Sequence, residues 1–212
     1  YELEIISSGS TPTFWGAIGD ENIAIYHPGN YIFNDAIQLS TDTAAEDECA
    51  LWVLASVISH PQDGLYIIDA GAKCLGLDQG AHGNDSIKGF GVVKGHPELE
   101  IFSLSEEVGK LHVHGETSLK VGDKIFIIPN HSCSTANLTS YYVGVRGDEV
   151  ERLVEVDIRG NSTRKGVGSE AWRSYCEDQN GFLIAVVYPV MGDHWVYPYT
   201  VSLVQLDKIA VQ

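Results

Sequence analysis

The chain has no apolar run of the roughly 20 residues needed to cross a bilayer, and no charged-then-apolar leader segment of the kind that directs secretion. A cytoplasmic location is the expectation. Basic residues are scarce: 13 Lys and Arg stand against 29 Asp and Glu, a formal charge of −16. Phosphate backbones and acidic lipids attract basic patches, so this balance argues against a nucleic-acid partner and against a membrane partner. The excess of acid serves solubility. Only four cysteines occur, at 49, 74, 133 and 176, without the spacing of a disulfide framework, which fits a reducing compartment. Sustained 3.6-residue periodicity is also scarce, and neither an internal repeat nor a low-complexity tract interrupts the 212 residues.

Short apolar runs punctuated by glycine, proline and polar turn residues fill that space. They cover residues 22–26, 31–39, 51–59, 65–68, 87–93, 99–104, 124–128, 141–145 and 149–158. Their lengths and turn-bounded spacing predict a mainly β fold, an antiparallel barrel or sandwich. A helix is expected only in short stretches such as 169–176. After Gly160 the composition shifts: residues 161–168 read as a polar, glycine-containing linker, followed by strand-like runs at 182–188 and 200–206.

His131-Ser132-Cys133 follows the run Ile125-Phe-Ile-Ile128 and the breaker pair Pro129-Asn130. Imidazole nitrogen and thiolate sulfur suit a borderline-soft ion such as Zn²⁺, and on an extended backbone residues i and i+2 reach the same side. Two ligands leave a tetrahedron open for a further protein group, water or substrate. The same tripeptide is also compatible with a packed cysteine beside a turn histidine.

Other polar residues invite roles. Gly9, Ser10 and Thr11 follow the strand-like run 3–6; Gly9 lets the backbone approach an anion, and Ser10 and Thr11 supply hydroxyls and amides that can form a phosphate nest. Tyr31 and Asp35, four residues apart, would share one face of an extended strand, where a tyrosine usually packs with its hydroxyl at the edge. Asp69 suits the capping of a turn. His112 and His114 form a second i, i+2 pair, able to offer a third metal ligand or an acid/base group.

Read continuously, Val121-Gly-Asp-Lys-Ile-Phe-Ile-Ile-Pro-Asn-His-Ser-Cys-Ser-Thr-Ala-Asn-Leu138 resembles the metal-binding segment of the D-serine dehydratase and D-threonine aldolase family of pyridoxal phosphate enzymes. Ser8-Gly-Ser-Thr-Pro-Thr13 resembles that family's phosphate-binding loop, Pro28-Gly-Asn-Tyr-Ile-Phe-Asn-Asp35 the opening of its C-terminal domain, and Ile68-Asp-Ala-Gly-Ala-Lys73 an inner strand and turn. Residues from Tyr142 to Gly160 resemble its closing strands. In that family the segment holding Tyr31 runs close to the cofactor domain, so the resemblance implies a pocket role for Tyr31 as the candidate catalytic residue. The motifs keep their order over residues 1–160, and that order carries the resemblance.

The resemblance implies an architecture like that of alanine racemase, in which an N-terminal (β/α)₈ barrel bears the cofactor lysine and a C-terminal β domain closes the site. All eight lysines here lie downstream of the phosphate-like loop, so the expected barrel is absent and none of them, Lys73 included, takes the cofactor role. The implied organisation is a remnant of the last barrel strand with its phosphate loop at 1–20, a β domain with the metal pair at 21–160, and an extension at 161–212. The implied cofactors are pyridoxal 5'-phosphate, held with the missing barrel, and Zn²⁺, favoured by the soft thiolate ligand, with Mn²⁺ as the alternative. The implied substrate is a small D-amino acid bearing a β-hydroxyl, with D-serine dehydration as the reaction, aldolase-type cleavage to glycine and an aldehyde as the alternative, and a homodimer allowed. A non-catalytic metal-binding β module is the remaining alternative. One departure stands out: Val108 occupies the place of a histidine in the family's Glu-Glu-His-Gly motif, which removes a potential ligand or base.

Overall fold

The computed structural model describes residues 5–80 and 87–156, together with the strand backbone of 201–205. Its centre is built by β3 (Leu51–Gln62), β4 (Leu65–Ile68), β5 (Val92–Val93), β6 (Leu99–Leu104), β7 (Gly109–Val113) and β8 (Lys124–Ile128). Antiparallel ladders run β6-β7-β4-β3-β8-β5, and the Phe90 N–H donates to the Ile101 carbonyl at 2.9 Å where β5 comes round to β6. Six antiparallel strands thus form a nearly closed barrel, so the edge-strand liability of an open sheet is largely removed.

The barrel fills by the alternation expected of pleated strands. Val53, Ala55 and Val57 of β3 point inward and meet Ile101, Leu111 and Ile127, the last three being fully buried. β3 is also buried on its other face, where Trp52 packs in a second cluster with Ala36, Cys49 and Ile128. This explains why residues 51–57 read as an almost unbroken apolar run. β7 escaped the sequence reading because Gly109, Leu111 and Val113 alternate with Lys110 and His112, which dilutes its apolar content. Leu111 nevertheless pairs with Tyr66 on one side and Ile101 on the other.

Outside the barrel, β9 (Tyr141–Arg146) and β10 (Glu149–Glu155) form a hairpin, and β11 (Val201–Gln205) pairs with β3 and β9. At the start of the described chain, β1 (Ser7–Ser8) lies parallel to β2 (Ile25–Tyr26), with a helical turn at Thr11–Thr13 and helix α1 (Phe14–Ala17) between them. No helix among the described residues is long and apolar enough to cross a membrane.

Three expectations need correction. Residues 31–39 are not a strand: a helical turn at Asn30–Ile32 leads into helix α2 (Ala36–Ser40). Asn34 takes a positive φ of 52°, which asparagine tolerates, and Asp35 caps the helix by accepting from Gln38 N–H at 3.1 Å. Tyr31 and Asp35 therefore do not share a strand face. Residues 22–26 and 87–93 are strand only at Ile25–Tyr26 and Val92–Val93. The backbone at 131–133 is not extended throughout, because helix α4 (Ser132–Asn137) begins between the two proposed ligands. The expected helix at 169–176 and strand at 182–188 lie outside the described residues.

Candidate functional site

Pro129 and Asn130 end β8, and the chain turns at once into α4 with His131 as its N-cap. His131 is extended at φ −135° and ψ 108°, while Cys133 lies in the first helical turn with its thiol exposed. Contact with Cys133, helped by Asp78 and Asp35, pushes the His131 pKa up to about 9, against an opposing effect of its half-burial. His131 Nδ1 lies 3.2 Å from Asp78 Oδ1.

Local sequence explains this arrangement. Helix α3 (Ala72–Leu75) ends at Gly76, whose φ of 74° turns the chain sharply and brings Asp78 beside α4. A Cβ on Gly76 would sit 3.3 Å from Ser134 Cβ, so the two helical turns are in close contact. Asn130 is 1% exposed, and its amide donates to the carbonyls of Asp78 at 2.7 Å and Gly89 at 2.8 Å. The residue before His131 and the residue facing it are thereby tied together.

A third tie comes from Asp35, fully buried at 0% exposure. Its Oδ2 accepts from the Ser132 N–H at 2.7 Å and from the Asn30 amide, and Oδ1 caps α2. Burial raises the Asp35 pKa, while these donors and His131 act the other way. The remaining described cysteines are of a different kind, because burial pushes the thiols of Cys49 and Cys74 up to about 12.

The phosphate-like loop is continuous with this region. Gly9 has φ 96°, and Ser10 is exposed with its N–H donating to Thr13 Oγ1 at 3.1 Å. Thr11 is buried, and its hydroxyl accepts from the Tyr31 N–H at 3.0 Å, so the loop and the Tyr31 turn are joined. Tyr31 is 48% exposed. His112 and His114 lie elsewhere, on the exposed side of β7 and its continuation: His112 packs edge-on to Phe102, and His114 Nε2 meets Glu100 Oε2 at 2.6 Å. Among the described residues, no group of three or more His, Cys, Asp or Glu side chains is arranged to hold a metal, so neither histidine completes the His131–Cys133 pair. Val108 occupies the β6–β7 turn, where its carbonyl accepts from Ser105 N–H at 2.9 Å. Lys73 sits near that turn with Nζ 3.3 Å from Glu106 and 2.5 Å from Glu107.

Asp78 and Asn130 were missed by sequence reasoning. Nothing local marks Asp78, whose importance comes from a contact 53 residues away in sequence. Asp35 carried a usable signal, since Asn-Asp ahead of Ala-Ile-Gln is a helix-start pattern.

Residues 50–145 match the family model described as "Putative serine dehydratase domain". A D-serine dehydratase from Dictyostelium discoideum is 33% identical over 161 residues, which span 70% of this chain and 41% of that protein. The structure of D-threo-3-hydroxyaspartate dehydratase from Delftia sp. HT23 superposes with a TM-score of 0.66 at 28% identity, covering 75% of this chain and 45% of that one. D-threonine aldolase from Filomicrobium marinum gives 0.61 at 29%, covering 74% and 42%. D-threo-3-hydroxyaspartate dehydratase also matches as a histidine-to-alanine variant and, two positions further along, as a cysteine-to-alanine variant in a metal-free form. This chain spans less than half the length of each of these relatives.

Proposed function

Because the chain belongs to the D-serine dehydratase/D-threonine aldolase family, we propose that it is the metal-binding β portion of a pyridoxal-phosphate-dependent lyase acting on D-configured β-hydroxy amino acids. D-serine is the proposed substrate, with pyruvate and ammonia as products. The observation that carries this reading is the placement of His131 and Cys133 on either side of the first residue of α4, with His131 Nδ1 3.2 Å from Asp78 Oδ1. A relative whose metal-free form is a cysteine variant, two positions beyond a histidine variant, has the same i, i+2 spacing.

The donor set fits zinc. A nitrogen and a sulfur ligand match its softness, two protein ligands leave room for water and substrate, and a carboxylate on the far ring nitrogen is the usual outer partner of a ligating histidine. With Nδ1 held by Asp78, Nε2 is the nitrogen left to coordinate. The positive φ of Gly9 and the exposed Ser10 hydroxyl suit an anion, so Gly9, Ser10 and Thr11 would hold the cofactor's phosphate.

When bound, pyridoxal phosphate supplies an electron sink for chemistry at Cα, and zinc supplies a Lewis acid for the substrate's β-hydroxyl. The chain's own residues fix where these act. His131 and Cys133 anchor one side of the site to the barrel through α4, and the Thr11–Tyr31 bond holds the phosphate loop against the turn that precedes α2. Tyr31, exposed on the turn joined to the phosphate loop, would contact substrate. The lysine that binds the cofactor would come from a (β/α)₈ domain, and a cytoplasmic location agrees with the free thiols of Cys49, Cys74 and Cys133.

Joined to such a domain, the assembled protein should release pyruvate and ammonia from D-serine, and chelation should lower turnover more than cofactor binding. The ion's proposed work lies at the leaving hydroxyl, whose charge develops in the transition state. Retention of the rate after chelation, or preference for L-serine, would overturn this reading. Formation of glycine and an aldehyde would assign the same residues to the aldolase branch.

A further inference from the structure

We infer that Asp35 is the positioning residue of the His131–Cys133 pair: its buried carboxylate clamps the backbone between the two ligands and sets their separation. This rests on the metal-binding role proposed for that pair. The residue type is the first argument. Capping α2 asks for one side-chain oxygen, a task that Ser, Thr or Asn performs as well as Asp. A carboxylate at 0% exposure is a costly choice for that task alone. The second oxygen has separate work, because Oδ2 accepts from the Ser132 N–H at 2.7 Å and from the Asn30 amide, while Oδ1 takes the Gln38 N–H at 3.1 Å. All the groups turned toward the carboxylate in these bonds are donors. Only an acceptor at both oxygens satisfies them, so asparagine would set an NH₂ against a donor on one side.

Position is the second argument. Ser132 is the residue between the ligands and the first residue of α4. Its hydroxyl is buried and has no hydrogen-bond partner among the described residues, so in these bonds the tie to Asp35 runs through the backbone N–H. Two further bonds bring α2 to the same place, from Ala36 N–H to the Pro129 carbonyl at 3.0 Å and from Ile37 N–H to the Asn130 carbonyl at 3.2 Å. The contact joins residues 97 apart in sequence. It fixes the point where the chain passes from the extended His131 to the helical Cys133, and that turn decides how far apart nitrogen and sulfur lie. Asp78 orients the imidazole ring, whereas Asp35 orients the backbone that carries both ligands.

Two variants of the full chain separate this role from a merely structural one. Asp35→Ser keeps an oxygen for Gln38 N–H, and hence the α2 cap, but cannot also reach Ser132. Ser132→Pro keeps Asp35 but replaces the N–H that reaches it with the ring Cδ and removes the unpartnered hydroxyl; proline is favoured at the first helical position, and the extended His131 is compatible with a following proline. Zinc affinity is measured by competition with a chromophoric chelator, beside the thiolate-to-metal absorption of the cobalt-loaded chain and the urea midpoint. Both variants should bind zinc about 10- to 100-fold more weakly, the range typical when an outer partner of a metal ligand is lost. Their cobalt spectra should shift while a cooperative unfolding transition persists. Either variant, shown to be folded, binding zinc within about twofold of the parent would overturn the inference. If Asp35→Ser does not fold, Ser132→Pro decides alone. A parent chain that takes up no zinc overturns the metal assignment as well, so the two failures are distinguishable.

Discussion

Gly71 lies at φ −113° and ψ −164°, a conformation open to any residue, so backbone freedom does not explain a glycine there. Close approach does. A Cβ at this position would stand 2.4 Å from the Glu106 carbonyl oxygen and 2.6 Å from the carbonyl carbons of Glu106 and Glu107. Carbon–oxygen contacts normally settle near 3.3 Å, so the α3 turn and the β6–β7 turn would have to part by about 0.9 Å. That movement stretches the bonds from Ala72 N–H to Ser105 at 2.8 Å and from Lys73 N–H to Glu106 at 3.1 Å. Overpacking costs about 1–3 kcal/mol, and weakening two hydrogen bonds adds up to about 1 kcal/mol each. The exposed Lys73 ion pairs add little. Gly71→Ala should therefore destabilise the chain by about 2–4 kcal/mol. Gly29 is the control: its φ of −111° is nearly the same, but a Cβ there meets nothing within 4 Å. Gly29→Ala should stabilise by about 0.4–1 kcal/mol through the unfolded chain. In urea, with a slope of roughly 2 kcal/mol/M, the Gly71→Ala midpoint should fall by about 1–2 M and the slope should hold. A Gly71→Ala midpoint within about 0.2 M of the parent would refute the steric account.

Alkylation at pH 8 should label the exposed Cys133 before Cys49 and Cys74, because a thiol pushed up to about 12 is only about one part in ten thousand ionised there. Peptide mapping by mass spectrometry reads the order, and equal rates at the three sites would contradict it. Incubation of this chain with pyridoxal phosphate followed by borohydride should leave no single lysine stoichiometrically modified. Lys73, the residue most suggestive by position, has its ammonium held between Glu106 and Glu107, and hydrogen bonds from those carboxylates raise its pKa. One fully labelled lysine would show that the cofactor residue lies within this chain.

Strands made largely of apolar residues were plain in the sequence: the runs 65–68, 99–104 and 124–128 coincide with β4, β6 and β8. β7 was hidden because Lys110 and His112 face outward between its inward residues, leaving too few apolar positions to mark a strand. The segment 31–39 misled for the opposite reason. Its apolar residues suggested a strand, while the Asp35 cap and the docking of α2 on the β8–α4 connection made it a helix. At the site, His131 and Cys133 were legible because both ligand types stand within three residues. Asp78, Asn130 and the Asp35 clamp were not, since each acts through contacts 41 to 97 residues away along the chain, which spacing cannot reveal.

Zinc content of the purified chain, by elemental analysis of the parent and the Cys133→Ala variant side by side, tests the metal assignment most directly. A thiolate ligand has no substitute in a methyl group, so the parent should carry about one zinc per chain and the variant almost none. Unchanged zinc in the Cys133→Ala protein would contradict the assignment of Cys133, and with it the site on which the proposed lyase function stands.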